Sequence, residues 1–445
     1  MNAMILLTAM SAGQLPTGGP PNALPAIPMP GAAVQPMQPP PGGMPPGMKD
    51  MGMNGNGDKK DEEKAAEEEK KPDAPEPYAL MRALKGTPAG DRLDALGITI
   101  SGWAQGSYTL SSAHRNNLPV TFNDRADFWQ LNQNYLKIEK AVDTSKDEFQ
   151  LGFRVDTLIG TDARFTIPKG FLDGQLKPPG RNGALPNYYP IDVYQMYAEA
   201  FLPDLGPKGT SVKVGRFATH CSYELVQGAE VPFVSRAYIF QYNPFTHTGV
   251  YATTQLDDTW TVSNGLVVGS DNFIGGPNRP TYIGQLKWAP KDGKTNVVLN
   301  AVVTDPRYDT NSAFPFYNYY GMTLTHNFTD KLTYVLDTAF SHIDHAPLGG
   351  GAVGSATWYG AANYLSYKHT DKLTSTLRGE VFEDTKGFRT GSKGLYTEVT
   401  YGLAYAPKPG LIFRPSVRYD NNSTGRPFEG KSDLYTAAMD VIVRY

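Results

Sequence analysis

From Ile98 to Tyr445 the chain alternates apolar and polar residues with a period of two, the repeat of strands that put one face against apolar surroundings. Lys331–Ser341 sets Leu332, Tyr334, Leu336 and Phe340 against Thr333, Asp337 and Ser341. Phe149–Thr157 sets Phe149, Leu151, Phe153 and Val155 against Gln150, Arg154 and Asp156, and Leu373–Glu383 follows the same rule. The pattern predicts sixteen strands. The first eight fall near 98–109, 130–140, 148–158, 191–202, 211–217, 246–256, 259–268 and 281–289. The second eight fall near 295–304, 317–327, 331–341, 357–369, 373–383, 394–406, 410–420 and 433–445.

Alternation alone also fits a soluble sandwich with its polar face outside. The connections decide between the two. Short ones, such as Asp257-Asp258 and Thr370–Lys372, alternate with long ones, such as 159–190 and 218–245. Tight turns at one end and long loops at the other are the pattern of an antiparallel transmembrane β-barrel, and an even strand count returns both ends of the barrel to the periplasmic side. Thr329-Asp330-Lys331-Leu332-Thr333 recurs as Thr370-Asp371-Lys372-Leu373-Thr374, each copy at a predicted short turn where Asp suits the backbone. Tyr435, Met439, Val441, Val443 and Tyr445 form an apolar alternation ending on an aromatic, the form of the insertion signal read by the barrel-assembly machinery. Pro415 is the misfit: it cannot donate to a ladder, so a bulge or short break is expected there, with a one-residue slip beyond it.

Composition divides the chain. Residues 1–97 hold 16 of the 36 prolines, 10 of the 13 methionines and one aromatic, Tyr78. Met1–Ser11 reads as a signal-peptide remnant, and the rest of 1–57 as a low-complexity Pro/Gly/Met tail that cannot bury a core. Residues 58–97 read as a charged linker with short helices, at Asp58–Lys71 and within Tyr78–Lys85 and Asp91–Ala95. The tail is either a solubilising spacer or a contact to the cell wall. Residues 98–445, the barrel, carry 32 basic and 32 acidic residues, so composition implies no strong anion or cation preference. Mean hydropathy of -0.39 without a long apolar run excludes membrane helices. A net charge of -3 argues against a nucleic-acid partner, and a single cysteine excludes a Cys-cluster metal site.

Gly102-Trp103 with Gly106, Val120–Arg125 (VTFNDR), Leu131–Tyr135 (LNQNY), Arg154–Asp156 and Gly160–Phe165 (GTDARF) resemble the OmpL-like β-barrel porins. Tyr194–Phe201 (YQMYAEAF), Val212–Phe217 (VKVGRF) and Phe245–Gly249 (FTHTG) continue the resemblance in order. It is densest over 98–275, and it implies an outer-membrane channel without catalytic residues or cofactor.

Barrels of sixteen to eighteen strands leave an aqueous lumen, so passive diffusion of small hydrophilic solutes and ions is the expected function. Charges facing lipid cost roughly 2–4 kcal/mol at the midplane. The register therefore points Arg154, Asp156, Asp337, Arg378, Glu380, Glu398, Arg414, Arg418, Asp440 and Arg444 into the pore, where cross-strand pairing is the competing role for each. An inward-folded long loop would form the constriction. Asp162 and Arg164 in 159–190, and Glu224, Glu230 and Arg236 in 218–245, are the candidate residues; by analogy with general porins the second loop holds the third-loop place. Expected partners are outer-membrane lipids, the assembly machinery, the solutes, and a second copy in a homo-oligomer.

Chemistry has weak support. Ser341-His342-Ile343-Asp344-His345 has no third metal ligand and falls in a predicted outer loop, and His220-Cys221-Ser222 gives a lone thiol no partner. Two other readings stay open from the residues alone: a barrel with an adhesive or cell-wall tethering role, and a secreted soluble β-rich carbohydrate-active enzyme.

Overall fold

The computed structural model describes residues 79–176, 187–274, 279–306, 316–348 and 352–445. The expected remnant signal, low-complexity tail and 58–71 helix lie outside these residues. Two short helices lead into the barrel, α1 (Ala79–Leu84) and α2 (Pro88–Leu96). Thr87 Oγ1 accepts the Gly90 N–H at 3.1 Å, Pro88 opens α2, and Gly97 closes it in the left-handed conformation. The Ile100 N–H donates to Met81 Sδ at 3.4 Å, tying α1 to the first strand.

Sixteen antiparallel strands then close on themselves, each bonded to its sequence neighbours and the last to the first. They are β1 (Thr99–Ser111), β2 (Phe128–Lys140), β3 (Gln150–Ile159), β4 (Ile191–Leu202), β5 (Thr210–Ala218), β6 (Thr246–Gln255), β7 (Trp260–Ser270) and β8 (Thr281–Trp288). The circuit continues with β9 (Thr295–Val303), β10 (Asn318–Asn327), β11 (Leu332–Pro347), β12 (Val353–Thr370), β13 (Leu373–Asp384), β14 (Gly394–Lys408), β15 (Leu411–Asn422) and β16 (Asp433–Arg444). Closure leaves no free edge, which an isolated sheet in lipid could not tolerate. Each predicted segment coincides with one strand.

Period-two residues now have opposite environments. Leu131, Leu151, Val214, Val250, Leu266, Leu299, Phe340, Leu377, Val399, Val417 and Met439 are exposed on the outside. Exposed Phe149, Trp260, Phe328, Tyr367 and Tyr405 lie near the short-turn end, and Trp129, Tyr282, Tyr320 and Tyr435 near the long-loop end. An apolar belt between two aromatic girdles suits a bilayer. A soluble sandwich would invert it.

Two expectations change and a third holds. The Ser341–His345 cluster is not in a loop, because β11 and β12 extend to Pro347 and from Val353. Ser341 and Ile343 keep the inward parity while the outer face turns polar, which resembles a loop in sequence. Past the membrane a strand needs no apolar outer face. Pro415 causes no register slip against β16, which pairs with β15 in one register from Leu411↔Val443 to Asn421↔Asp433, whereas the β14 ladder shifts register between Tyr405 and Lys408. The cost falls on the β14 side, where the ladder has no pairs between Gly402↔Ser416 and Tyr405↔Phe413. The repeated Thr-Asp-Lys units do form matching turns, with Lys331 N donating to Thr329 Oγ1 and Lys372 N to Thr370 Oγ1, each at 3.2 Å.

At the seam, Tyr445 lies on the outer surface over Gly102, its hydroxyl donating to Asn134 Oδ1 at 2.9 Å or Tyr135 O at 3.0 Å. A Cβ on Gly102 would collide with the Tyr135 carbonyl and come within 2.7 Å of the tyrosine ring. One on Gly106 would meet nothing closer than 3.5 Å. Gly102→Val is expected to lower the fraction of refolded chain that shows heat-modifiable migration, and Gly106→Ala to leave it unchanged. Equal folded fractions for the two variants would contradict a seam closed by this contact.

Candidate functional site: the loop folded into the barrel

The connection between β5 and β6, residues 219–245, turns into the lumen and is almost wholly buried. It carries a 3-10 turn at Gly228–Glu230 and one α-helical turn, α4 (Tyr238–Gln241); the β3–β4 connection carries α3 (Ala163–Thr166). The barrel wall holds the loop chiefly by its backbone. Asp337 of β11 accepts from Ser222 Oγ at 2.6 Å and from the Tyr223 N–H at 3.0 Å. Glu380 of β13 accepts the Tyr238 and Ile239 N–H groups, each at 2.7 Å, at the start of α4. Arg418 donates to Arg236 O at 2.7 Å, Arg414 to Val231 O, and Arg444 to Ala229 O at 2.5 Å.

Carboxylates balance these guanidiniums. Arg414 pairs with Asp440 at 2.5 Å and Arg418 with Asp420 at 2.6 Å. Arg378 donates to Glu398 at 3.0 Å on the wall and to Glu224 at 2.6 Å on the loop, with all three buried. On the opposite side Gln133 of β2 receives the Gly228 N–H at 2.9 Å and donates to Val226 O at 2.6 Å. A Cβ at Gly228 would displace the Gln105 side-chain amide, which lies against this stretch of backbone.

At the centre lies Arg236, 1% exposed. It donates to four carbonyls of its own loop: Leu225 at 3.1 Å, Phe233 at 2.7 Å, Val234 at 3.0 Å and Val226 at 3.2 Å. Its guanidinium stands 5.0 Å from the Phe122 ring centre and 5.8 Å from that of Phe240. One cation thus gathers both halves of the loop.

A family model described as "Putative beta-barrel porin-2, OmpL-like" matches residues 97–445. The chain belongs to this porin family. No curated protein matches it. In fold it is similar to OprB of Pseudomonas putida, at 12% identity and TM-score 0.52, covering 80% of this chain and 96% of that one. It is likewise similar to an anion-selective porin from Comamonas acidovorans, at 9% identity and TM-score 0.51, covering 78% and 99%. The chain is therefore an outer-membrane porin.

The stretches that carried the resemblance converge on the porin's inward loop. Phe122 of VTFNDR packs on Phe165 of GTDARF and on Phe240 and Phe245, with ring centres 5.0–5.7 Å apart. Asp124 pairs with Arg164 at 2.8 Å. Asp162 accepts from Gln133 at 2.8 Å, and burial pushes its carboxyl up to about 6 against the opposing pull of Arg236. Arg216 of VKVGRF pairs with Asp192 at 2.6 Å, both fully buried.

The ten charges assigned to the pore all have inward parity. Nine are at least nine-tenths buried, and Arg444 is half-buried. Arg154 and Asp156 pair at 2.8 Å away from the loop; the others meet the loop or its counter-charges. Of the constriction candidates, Asp162, Arg164, Glu224 and Arg236 are spent on internal bonds. Glu230, paired with Arg444 at 3.3 Å, keeps 42% side-chain exposure. On β16, Tyr435, Met439 and Val443 are exposed, with Val441 and Tyr445 half-buried. Sequence reasoning missed Gln133, Arg216, Asp192, Glu380's bonding to α4, and Tyr238, whose hydroxyl reaches Asp420 at 2.8 Å. Gln133 and Arg216 sit in the resemblance stretches, so dense motif matches were the available signal for them; Asp192, Glu380 and Tyr238 lie outside those stretches. Burial pushes the Cys221 thiol up to about 12, which disfavours a nucleophilic thiolate. No group of three metal-type ligands occurs among the described residues.

Arg378→Met leaves Glu224 buried without its ion pair and Glu398 with only Arg418, at 3.8 Å. Breaking a buried pair in this way costs about 3–5 kcal/mol. The urea midpoint of the detergent-solubilised barrel is expected to fall accordingly. An unchanged midpoint would mean that this contact does not hold the loop.

Proposed function

We propose that this porin passes small hydrophilic solutes through the space its inward loop leaves, with the passage narrowest at the loop's short-turn edge. The observation behind this reading is a difference in exposure along the lumen. Inward side chains toward the long-loop end are buried. Those toward the short-turn end, including Lys137, Glu139, Glu199, Lys213, Gln285 and Lys287, are half-exposed. Charged and amide groups of both signs suit a wetted vestibule that discriminates weakly between ions.

In this reading Glu230 and Arg444 are the eyelet charges, since they stand partly exposed where the buried loop meets the vestibule. Asp162, Arg164, Glu224 and Arg236 act by holding the loop's shape. The remaining inward charges line the pore only through the loop they fix. The short-turn end faces the periplasm, the apolar belt meets outer-membrane lipid, and the β16 alternation ending in Tyr445 is what the assembly machinery reads. The tail then lies on the periplasmic side, within reach of the cell wall.

Reconstitution into a planar bilayer is expected to give discrete conductance steps. Neutralising one member of the pair (Glu230→Gln) should shift the zero-current potential in a salt gradient toward anion preference, while Asp162→Asn should not. Selectivity that ignores the first variant and follows the second would overturn the assignment.

A further inference from the structure

Among the described residues, Arg389 is a buried arginine of the lumen with neither a carboxylate pair nor a carbonyl partner for its Nε and Nη2. Arg389 lies in the connection from β13 to β14, residues 385–393. That connection does not stand out into solvent. Asp384, at the end of β13, accepts the Phe388, Arg389 and Thr390 N–H groups at 3.0, 2.8 and 2.9 Å, folding it back over the barrel mouth. The Arg389 side chain, 7% exposed, enters the long-loop end of the lumen among three rings. Its guanidinium is 5.2 Å from the Trp358 ring centre, 5.5 Å from Tyr317 and 5.8 Å from Tyr242.

The other deeply buried arginines, including 154, 216, 378, 414 and 418, each have a carboxylate, and Arg236 has four carbonyls. Arg389 Nε and Nη2 are buried without any hydrogen-bond acceptor. The hydroxyl of Tyr317, whose ring it faces, is also buried without a partner. Ring faces attract a cation but do not replace the acceptors that water would supply. Two adjacent N–H groups of a guanidinium form the fork that matches the two oxygens of a carboxylate.

We propose that Arg389, with the Tyr317 hydroxyl, forms a binding site for a small carboxylate solute at the outer mouth of the lumen. The nearby carboxylates do not fill this role. Asp384 is engaged by backbone N–H groups. Asp271 accepts the Phe245 and Thr246 N–H groups at 2.9 and 2.8 Å, and its Oδ2 has no partner. Asp271 therefore makes no direct bond to Arg389 and leaves the fork free. Trp358, on the ring side of the cation, gives the site an optical reporter.

The inference builds on the channel reading, so two readouts separate them. In detergent, acetate titrated at constant ionic strength into the purified porin should change tryptophan fluorescence saturably. The change should vanish in Trp358→Phe, fall at least tenfold in apparent affinity in Arg389→Gln, and weaken in Tyr317→Phe, which keeps the ring. Heat-modifiable migration checks that each variant is folded. In bilayers, acetate on the long-loop side should saturate conductance in the wild type and leave Arg389→Gln proportional to bulk conductivity. Saturable fluorescence without conductance steps would uphold the site and reject the channel. Chloride or phosphate acting as well as acetate would overturn the carboxylate assignment. A folded wild type with no saturable response, as expected if water merely bridges Arg389 to Asp271, would overturn the site.

Discussion

The structure depends on charges inside a barrel bonding to the backbone of a loop. A sixteen-stranded barrel encloses far more space than its own side chains fill. In this chain Asp337, Glu380, Arg414, Arg418 and Arg444 use that space to seize N–H and C=O groups of residues 222–239. A loop crossing a lumen would otherwise bury peptide groups without partners, at a cost of a few kcal/mol each. The wall supplies those partners, and counter-charges such as Asp440 and Asp420 remove the penalty of burying the guanidiniums alone. Wall and loop are therefore coupled: without the loop, Asp337 and Glu380 would exchange its N–H donors for water while the Arg–carboxylate pairs of the wall remained, and without the wall the loop could not be dry.

This coupling explains why the stretches resembling other porins lie where they do. Those of β2, the β1–β2 connection and the β3–β4 connection bring Gln133, Phe122 and Asp162 to the same loop from the opposite side. Arg236 then joins the loop's two halves by bonding to carbonyls at both ends of a ten-residue excursion, from Val226 to its own position. A cation with several donors in a fixed plane can do this; the single ammonium of a lysine could not.

How much of this is readable in sequence follows from what each interaction requires. Strands are legible because lipid outside and water or protein inside impose period two, and Leu332, Tyr334 and Asp337 obey it residue by residue. Inward parity of Arg378 or Asp440 is legible for the same reason. Their partners are not. Arg414 bonds a carbonyl at Val231, and any residue type offers a carbonyl, so no side-chain signature marks the acceptor. The periodicity also fails where the membrane stops imposing it, which is why the polar outer face of β11 at His342 and Asp344 resembles a loop in sequence. Arg389 sits beyond periodicity altogether, and its isolation from any acceptor exists only in three dimensions.

In the proposed reading the docked β5–β6 loop, rather than the barrel wall, sets the size of the passage. The most direct measurement is the single-channel conductance of a barrel in which residues 222–243 are replaced by a short Gly-Ser link, compared with the intact chain in the same bilayer and salt. A severalfold larger conductance is expected from a barrel that still folds. Steps of unchanged size from the folded deletion variant would contradict it.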